Sequence, residues 1–152
     1  MSIVEDVNAA IVESMRSRDS GRLSALRMLK TALTNRSVER GHALDDDEAR
    51  QVVTSLVKQR RDSIEQFTKG GRKDLADKEA AEIVVLETYL PPAADPAAID
   101  RAIDEAIAET AAASMKDMGR VMKAAMARLA GQNVDGKSVN ELVRLKLSQR
   151  GG

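Results

Sequence analysis

Two glutamates three residues apart, Glu79 and Glu82, and one arginine, Arg60, are charged residues whose positions invite chemistry. All three fall on the apolar side of helical patterns. Arg60 lies in angular position between Leu56 and Val57, and the glutamates flank the line from Leu75 to Leu86. A charge on an apolar arc rarely persists without a partner, because burying it alone is strongly unfavourable. Such a carboxylate pair can carry acid–base catalysis. The same three residues can equally form a structural ion pair that fixes the register of two antiparallel helices, and the sequence favours this reading. No histidine, cysteine or hydroxyl nucleophile accompanies them in a recognisable arrangement. The single histidine, His42, sits in a short polar stretch that predicts a solvated side chain.

A second pattern points to phosphate. From Gly131 to Ser138 the chain reads G-x-x-x-x-G-K-S, the spacing of a phosphate-binding loop. That loop works when a buried strand precedes it and a helix follows, so that backbone amides converge on the anion. Here Met122 to Ala130 form an alanine-rich helical pattern instead. The glycines and Asp135 then predict a helix stop followed by a helix start. The third pattern is basic. Lys116, Arg120 and Lys123 fall within about 60° of one another at helical spacing, opposite the Met and Leu face. Lys137, Arg144, Lys146 and Arg150 follow. A phosphate backbone would favour such a surface, and so would internal salt bridges to an acidic neighbour.

The elements that must position these residues are helical throughout. Ser2 and Glu5 suit a capping box, with Val4, Val7, Ile11 and Met15 following on one face. A second helix is expected from Asp19 or Ser20 to Gly41, carrying Leu26, Leu29 and Leu33. The acidic run Asp45–Glu48 opens a third, ending at Gly70-Gly71. A fourth is expected from about Arg72 to Leu90, where Pro91-Pro92 stops it. All three prolines of the chain lie in residues 91–96, a semi-rigid connector. Asp95 and Pro96 restart a fifth helix with Ile99, Ile103 and Ile107 inward. Ser114 and Asp117 open a sixth, closed by Gly131, and Asp135 opens a seventh. The predicted fold is all-α: a bundle of about four helices over 1–90, a proline-rich hinge over 91–96, and a three-helix bundle over 97–152.

Composition narrows the function classes. The 152 residues hold 24 basic and 24 acidic side chains, so no net charge draws the chain toward nucleic acid. The balance is uneven along the chain: +2 over residues 1–72, −7 over 73–113 and +5 over 114–152. Residues 16–40 alone hold seven basic groups against two acidic ones. Cysteine is absent, which removes disulfides, thiolate nucleophiles and cysteine-ligated zinc. With one histidine, His-based metal sites are excluded too; no metal or cofactor is expected. Aromatics amount to Phe67 and Tyr89, too few for base-stacking platforms. No secretory signal and no membrane-length apolar run is present, so a cytoplasmic protein is expected.

Several segments together resemble the GatB/YqeY family. They are Arg27-Met28-Leu29-Lys30, Lys58-Gln59-Arg60-Arg61-Asp62-Ser63-Ile64 with Phe67, and Gly71-Arg72-Lys73-Asp74-Leu75 with Glu79 and Glu82. Tyr89-Leu90-Pro91, Met118-Gly119-Arg120-Val121-Met122, Asp135-Gly136-Lys137 and Val139-Asn140-Glu141-Leu142-Val143 continue it. The order covers nearly the whole chain and resembles the stand-alone YqeY-like members. The resemblance implies a relation to the helical tail of the B subunit of glutamine-dependent aminoacyl-tRNA amidotransferase, which contacts the tRNA body. The expectation is therefore a non-catalytic module binding tRNA or another structured RNA through Lys116, Arg120, Lys123, Lys137 and Arg144. A protein-interaction adaptor is the alternative. A carbon–nitrogen ligase activity with glutamine as amide donor would be a family association that this chain cannot perform alone.

Overall fold

The computed structural model describes residues 2–150, and among these it is all-α. Seven α-helices follow in order: α1 Ile3–Ser17, α2 Ser20–Arg40, α3 Asp46–Lys69, α4 Lys73–Glu87, α5 Pro96–Thr110, α6 Met118–Arg128 and α7 Gly136–Arg150. The chain divides into two compact units, residues 1–90 and residues 91–152.

Local chemistry sets most helix ends in the first unit. The Ser2 hydroxyl accepts from the Glu5 amide, and the Asp19 carboxylate accepts from the Arg22 amide. Gly41 takes the left-handed conformation at φ 74° that closes α2, which only glycine adopts without penalty. Asp45 and Glu48 complete a reciprocal capping box at the start of α3. One residue on, Asp46 accepts the Ile3 amide at 2.9 Å, so the acidic start of α3 also caps α1. The core joins Val7, Leu29, Leu33, Val53, Val57 and Leu86 from four helices, with half-buried Tyr89 and Leu90 packed against it. Two expectations shift here. Helix α4 ends at Glu87 and not at Leu90. Pro91 disfavours helical backbone at Leu90, and the last three residues turn so that Tyr89 and Leu90 reach the core. On α1 the buried line is Val7, Ala10 and Ser14, which leaves Met15 47% exposed.

The second unit is built the same way. Asp95 caps α5 by accepting from the Ala97 amide, with Pro96 in the first turn. Its C-terminus closes on Ala111, a non-glycine residue at φ 52°. A 3-10 turn, Met115–Asp117, leads into α6 and carries a capping box between Ser114 and Asp117. Ile103, Ile107, Val121, Val139, Val143 and Leu147 are fully buried in its core. An isolated parallel bridge ties Ala93 to Asn133.

Candidate nucleic-acid interface

The basic side chains of the second unit separate into paired and unpaired groups. Lys116 sits on the 3-10 turn and Lys123 on the outer side of α6, both exposed and both without an ion-pair partner among the described residues. Arg120 is exposed as well, but its guanidinium donates to the Asp117 carboxylate and to the Thr110 carbonyl. Three donors converge on Asp117, since the amides of Ala113 and Ser114 also point at it. The Ala113 amide first, and Arg120 second, hold the Asp117 carboxyl below the ordinary aspartate range.

Helix α7 carries the remaining members. Lys137 and Arg144 are two turns apart on the exposed stripe, opposite buried Val139, Val143 and Leu147. Glu141 lies exposed between them on the same stripe and lowers its positive potential. The Lys137 amide donates to Asp135, the residue that starts the helix. Arg144 is exposed with no ion pair among the described residues. The five residues thus lie on two stripes, one on α6 with its leading turn and one on α7.

Lys146 does not belong to this surface. Its ammonium lies 2.8 Å from Asp100 and 2.9 Å from Asp104 on α5, with the side chain only 20% exposed. The hydrogen bonds its ammonium donates to Asp100 and Asp104 raise its pKa above the ordinary lysine value. Arg128 on α6 likewise meets Glu105 at 2.8 Å and Glu109 at 2.9 Å. The acidic helix α5 is therefore answered by α6 and α7 inside its own unit. Sequence reasoning missed Arg128 altogether. The available signal was the spacing of Asp100 with Asp104 and of Glu105 with Glu109, pairs one turn apart that a single cation can bridge.

In the first unit the structure brings Arg60 together with both glutamates. Arg60 Nε is 2.9 Å from Glu82 Oε2 and 3.8 Å from Glu79 Oε2. Its Nη1 donates to the Leu56 carbonyl and its Nη2 faces the Met28 sulfur. The side chains of Arg60 and Glu82 are 13% and 17% exposed. The guanidinium thus divides its donors among a carboxylate, a carbonyl and a thioether. This is the satisfaction a largely buried cation requires, and it commits Glu82 Oε2 to the guanidinium. His42 is exposed, with Nδ1 2.8 Å from the Ala43 carbonyl and Nε2 3.7 Å from Glu48.

The loop from Gly131 to Ser138 follows a helix. Gly131 has φ 83° just beyond the end of α6, and Asp135 accepts from the Lys137 amide and the Ser138 hydroxyl. Ser138 and Asp135 therefore serve the start of α7. The strand that gives a phosphate loop its geometry is replaced by α6. Among the described residues no cluster of three or more histidines or carboxylates is arranged to hold a metal ion. No helix among them is long and apolar enough to cross a membrane.

Comparison with known proteins supplies the family. A relative from Lachancea thermotolerans, named Altered inheritance of mitochondria protein 41, mitochondrial, is 31% identical over 88 residues. That alignment covers 57% of this chain and 47% of the relative. The Kluyveromyces lactis protein of the same name is 35% identical over 78 residues, covering 51% of this chain and 42% of that protein. The chain thus spans less than half the length of these two relatives. A Schizosaccharomyces pombe protein is 30% identical over 88 residues, covering 58% of this chain and 72% of its own length. The family model described as Yqey-like protein matches residues 4–147, and the chain belongs to that family.

Proposed function

We propose that this chain is a non-catalytic helical module that binds tRNA or another structured RNA through the basic stripes of its second unit. One observation carries the reading. Arg128 and Lys146 are committed to α5, yet Lys116, Lys123 and Arg144 stay exposed without a counter-ion among the described residues. Unpaired exposed cations are the groups that exchange condensed counter-ions for phosphate contacts. Lys137 and Arg120 stand beside them, with Arg120 partly engaged by Asp117. In this reading the protein works in the cytoplasm. Any carbon–nitrogen ligase chemistry with glutamine as amide donor belongs to other polypeptides.

The test is the salt dependence of tRNA binding. Replacing Lys116 and Lys123 together by Glu should weaken binding and reduce the slope of log affinity against log salt by about two. Both side chains are exposed, so the melting temperature should hardly move. Replacing Arg120 as well should add a smaller loss, together with some destabilisation through Asp117. Unchanged affinity in the doubly substituted protein would falsify the RNA-face assignment. The second reading, a protein-interaction adaptor, draws on Val84 of α4, which is 69% exposed in the first unit. Binding of a protein partner that survives nuclease treatment and is lost in Val84→Glu would favour it.

A further inference from the structure

A cavity in the first unit has no part in the RNA reading. It holds about 300 Å³ between α1, α2 and the loop that joins α2 to α3, within the range of small-ligand sites. Its apolar walls come from Val4 and Val7 of α1, Leu33 of α2 and Leu44 of the loop. The loop wall is fixed in place, because the Ser37 hydroxyl donates to the His42 carbonyl at 2.8 Å. Besides Ser37, three polar side chains line the cavity: Lys30, Thr34 and Asn8. Lys30 and Thr34 lie one turn apart on α2, so they share a face, and Asn8 comes from α1. None of the three side chains has a hydrogen-bond or ion-pair partner among the described residues.

We propose that this cavity binds a small monocarboxylate with a short aliphatic chain. Four features select that class. The walls are valine and leucine without an aromatic ring, so they suit a flexible hydrocarbon and offer no stacking surface to a nucleobase. Among the described residues Lys30 is the one charged side chain lining the cavity, which matches a single negative charge and falls short of a phosphomonoester's two. The hydroxyl of Thr34 and the amide of Asn8 can donate to the second carboxylate oxygen. The volume accepts a ligand of modest size and excludes a long-chain lipid lying wholly inside. The hydrocarbon then packs against Val4, Val38 and Leu44, over the buried Val7 and Leu33, while the carboxylate stays at the wet rim with Lys30.

The proposal is tested on the full chain by following backbone amide resonances while octanoate is added below its micelle concentration. Saturable shifts are expected for Val4, Val7, Asn8, Leu33, Thr34 and Leu44. Lys30→Met keeps the apolar stem, removes the charge and should weaken octanoate binding about tenfold. Lys30→Arg should retain affinity within about threefold, since it keeps the cation. Octan-1-ol should bind the parent protein no better than octanoate binds Lys30→Met. Lys30 is exposed, so neither substitution threatens folding. Absence of saturable shifts, shifts centred away from this cavity, equal affinity for octanol, or unaltered affinity in Lys30→Met would each overturn it. Because tRNA binding is assigned to the other unit, either conclusion can fail alone.

Discussion

The two units use the same residue types to opposite degrees of burial. In the first, Arg60 and Glu82 are 13% and 17% exposed and meet between α3 and α4. In the second, Arg128 is 38% exposed, and its partners Glu105 and Glu109 are 49% and 56% exposed. Both are cross-helix ion pairs with contacts near 2.9 Å. Their energetic meaning differs, because water screens the second and is largely excluded from the first. A buried pair is expensive to break, whereas an exposed pair contributes little. Distance alone says nothing about either.

The largest expected effect tests that contrast directly. Arg60→Ala should destabilise the protein by roughly 3–5 kcal/mol in urea titration, since Glu82 is left without its cation in a site poor in water. Changing Arg60 and Glu82 together to Leu should recover most of the loss. If the single substitution melts like the parent, the cluster behaves as a surface pair and the contrast collapses.

Arg128→Ala should cost no more than about 1 kcal/mol, and molar salt should erase the difference from the parent. Salt should leave the Arg60→Ala deficit nearly intact. An intermediate case sharpens the comparison. Lys146 is 20% exposed between two aspartates, so Lys146→Met should fall between Arg128→Ala and Arg60→Ala. Because its pKa is raised in the folded state, the stability it provides is fully present below the ordinary lysine pKa. That contribution is lost as pH rises through the folded value. Stability measured into the alkaline range should therefore decline more gently in Lys146→Met than in the parent.

Asp117 gives the opposite sign on the acid side. Its folded pKa is lowered, so its contribution is present above the ordinary aspartate pKa and lost as pH falls through the folded value. Asp117→Asn should flatten the acid limb of the stability profile. The smallest effect is expected at Ala111, whose φ of 52° strains an L-residue. Ala111→Gly should stabilise by at most about 1 kcal/mol, after the extra chain entropy of glycine is subtracted. A loss of stability there would show that the cap carries no strain worth relieving.

What could be read from the sequence was local. Asp19, Gly41, the pair Asp45 and Glu48, and Asp95 with Pro96 mark helix ends because capping involves neighbours within a few positions. The all-α class follows from helical periodicity and from alanine and long unbranched residues. Three features lay beyond that reach. The end of α4 depends on Tyr89 and Leu90 turning into the core, a tertiary preference that overrides continued helix. The exposure of Met15 depends on where α2 and α3 meet α1. The capture of Lys146 by α5 depends on a partner 42 residues away in sequence. Of the basic stripe, periodicity gave the side of α6 that faces water. It could not tell which cations were already neutralised.

Tyr89 turns the chain's scarcity of aromatics into an optical advantage. It is the sole tyrosine, no tryptophan is present, and its ring packs on the core of the first unit. Intrinsic fluorescence therefore watches that unit alone, while far-ultraviolet dichroism sums over both. Overlaying the two signals along a single denaturant titration separates the melting of residues 1–90 from that of 91–152 without any label. The phenol adds a second channel. Burial raises its pKa above the ordinary tyrosine value. Its ionisation, seen as phenolate absorbance, should lag behind that of free tyrosine while the first unit is folded and catch up once it opens.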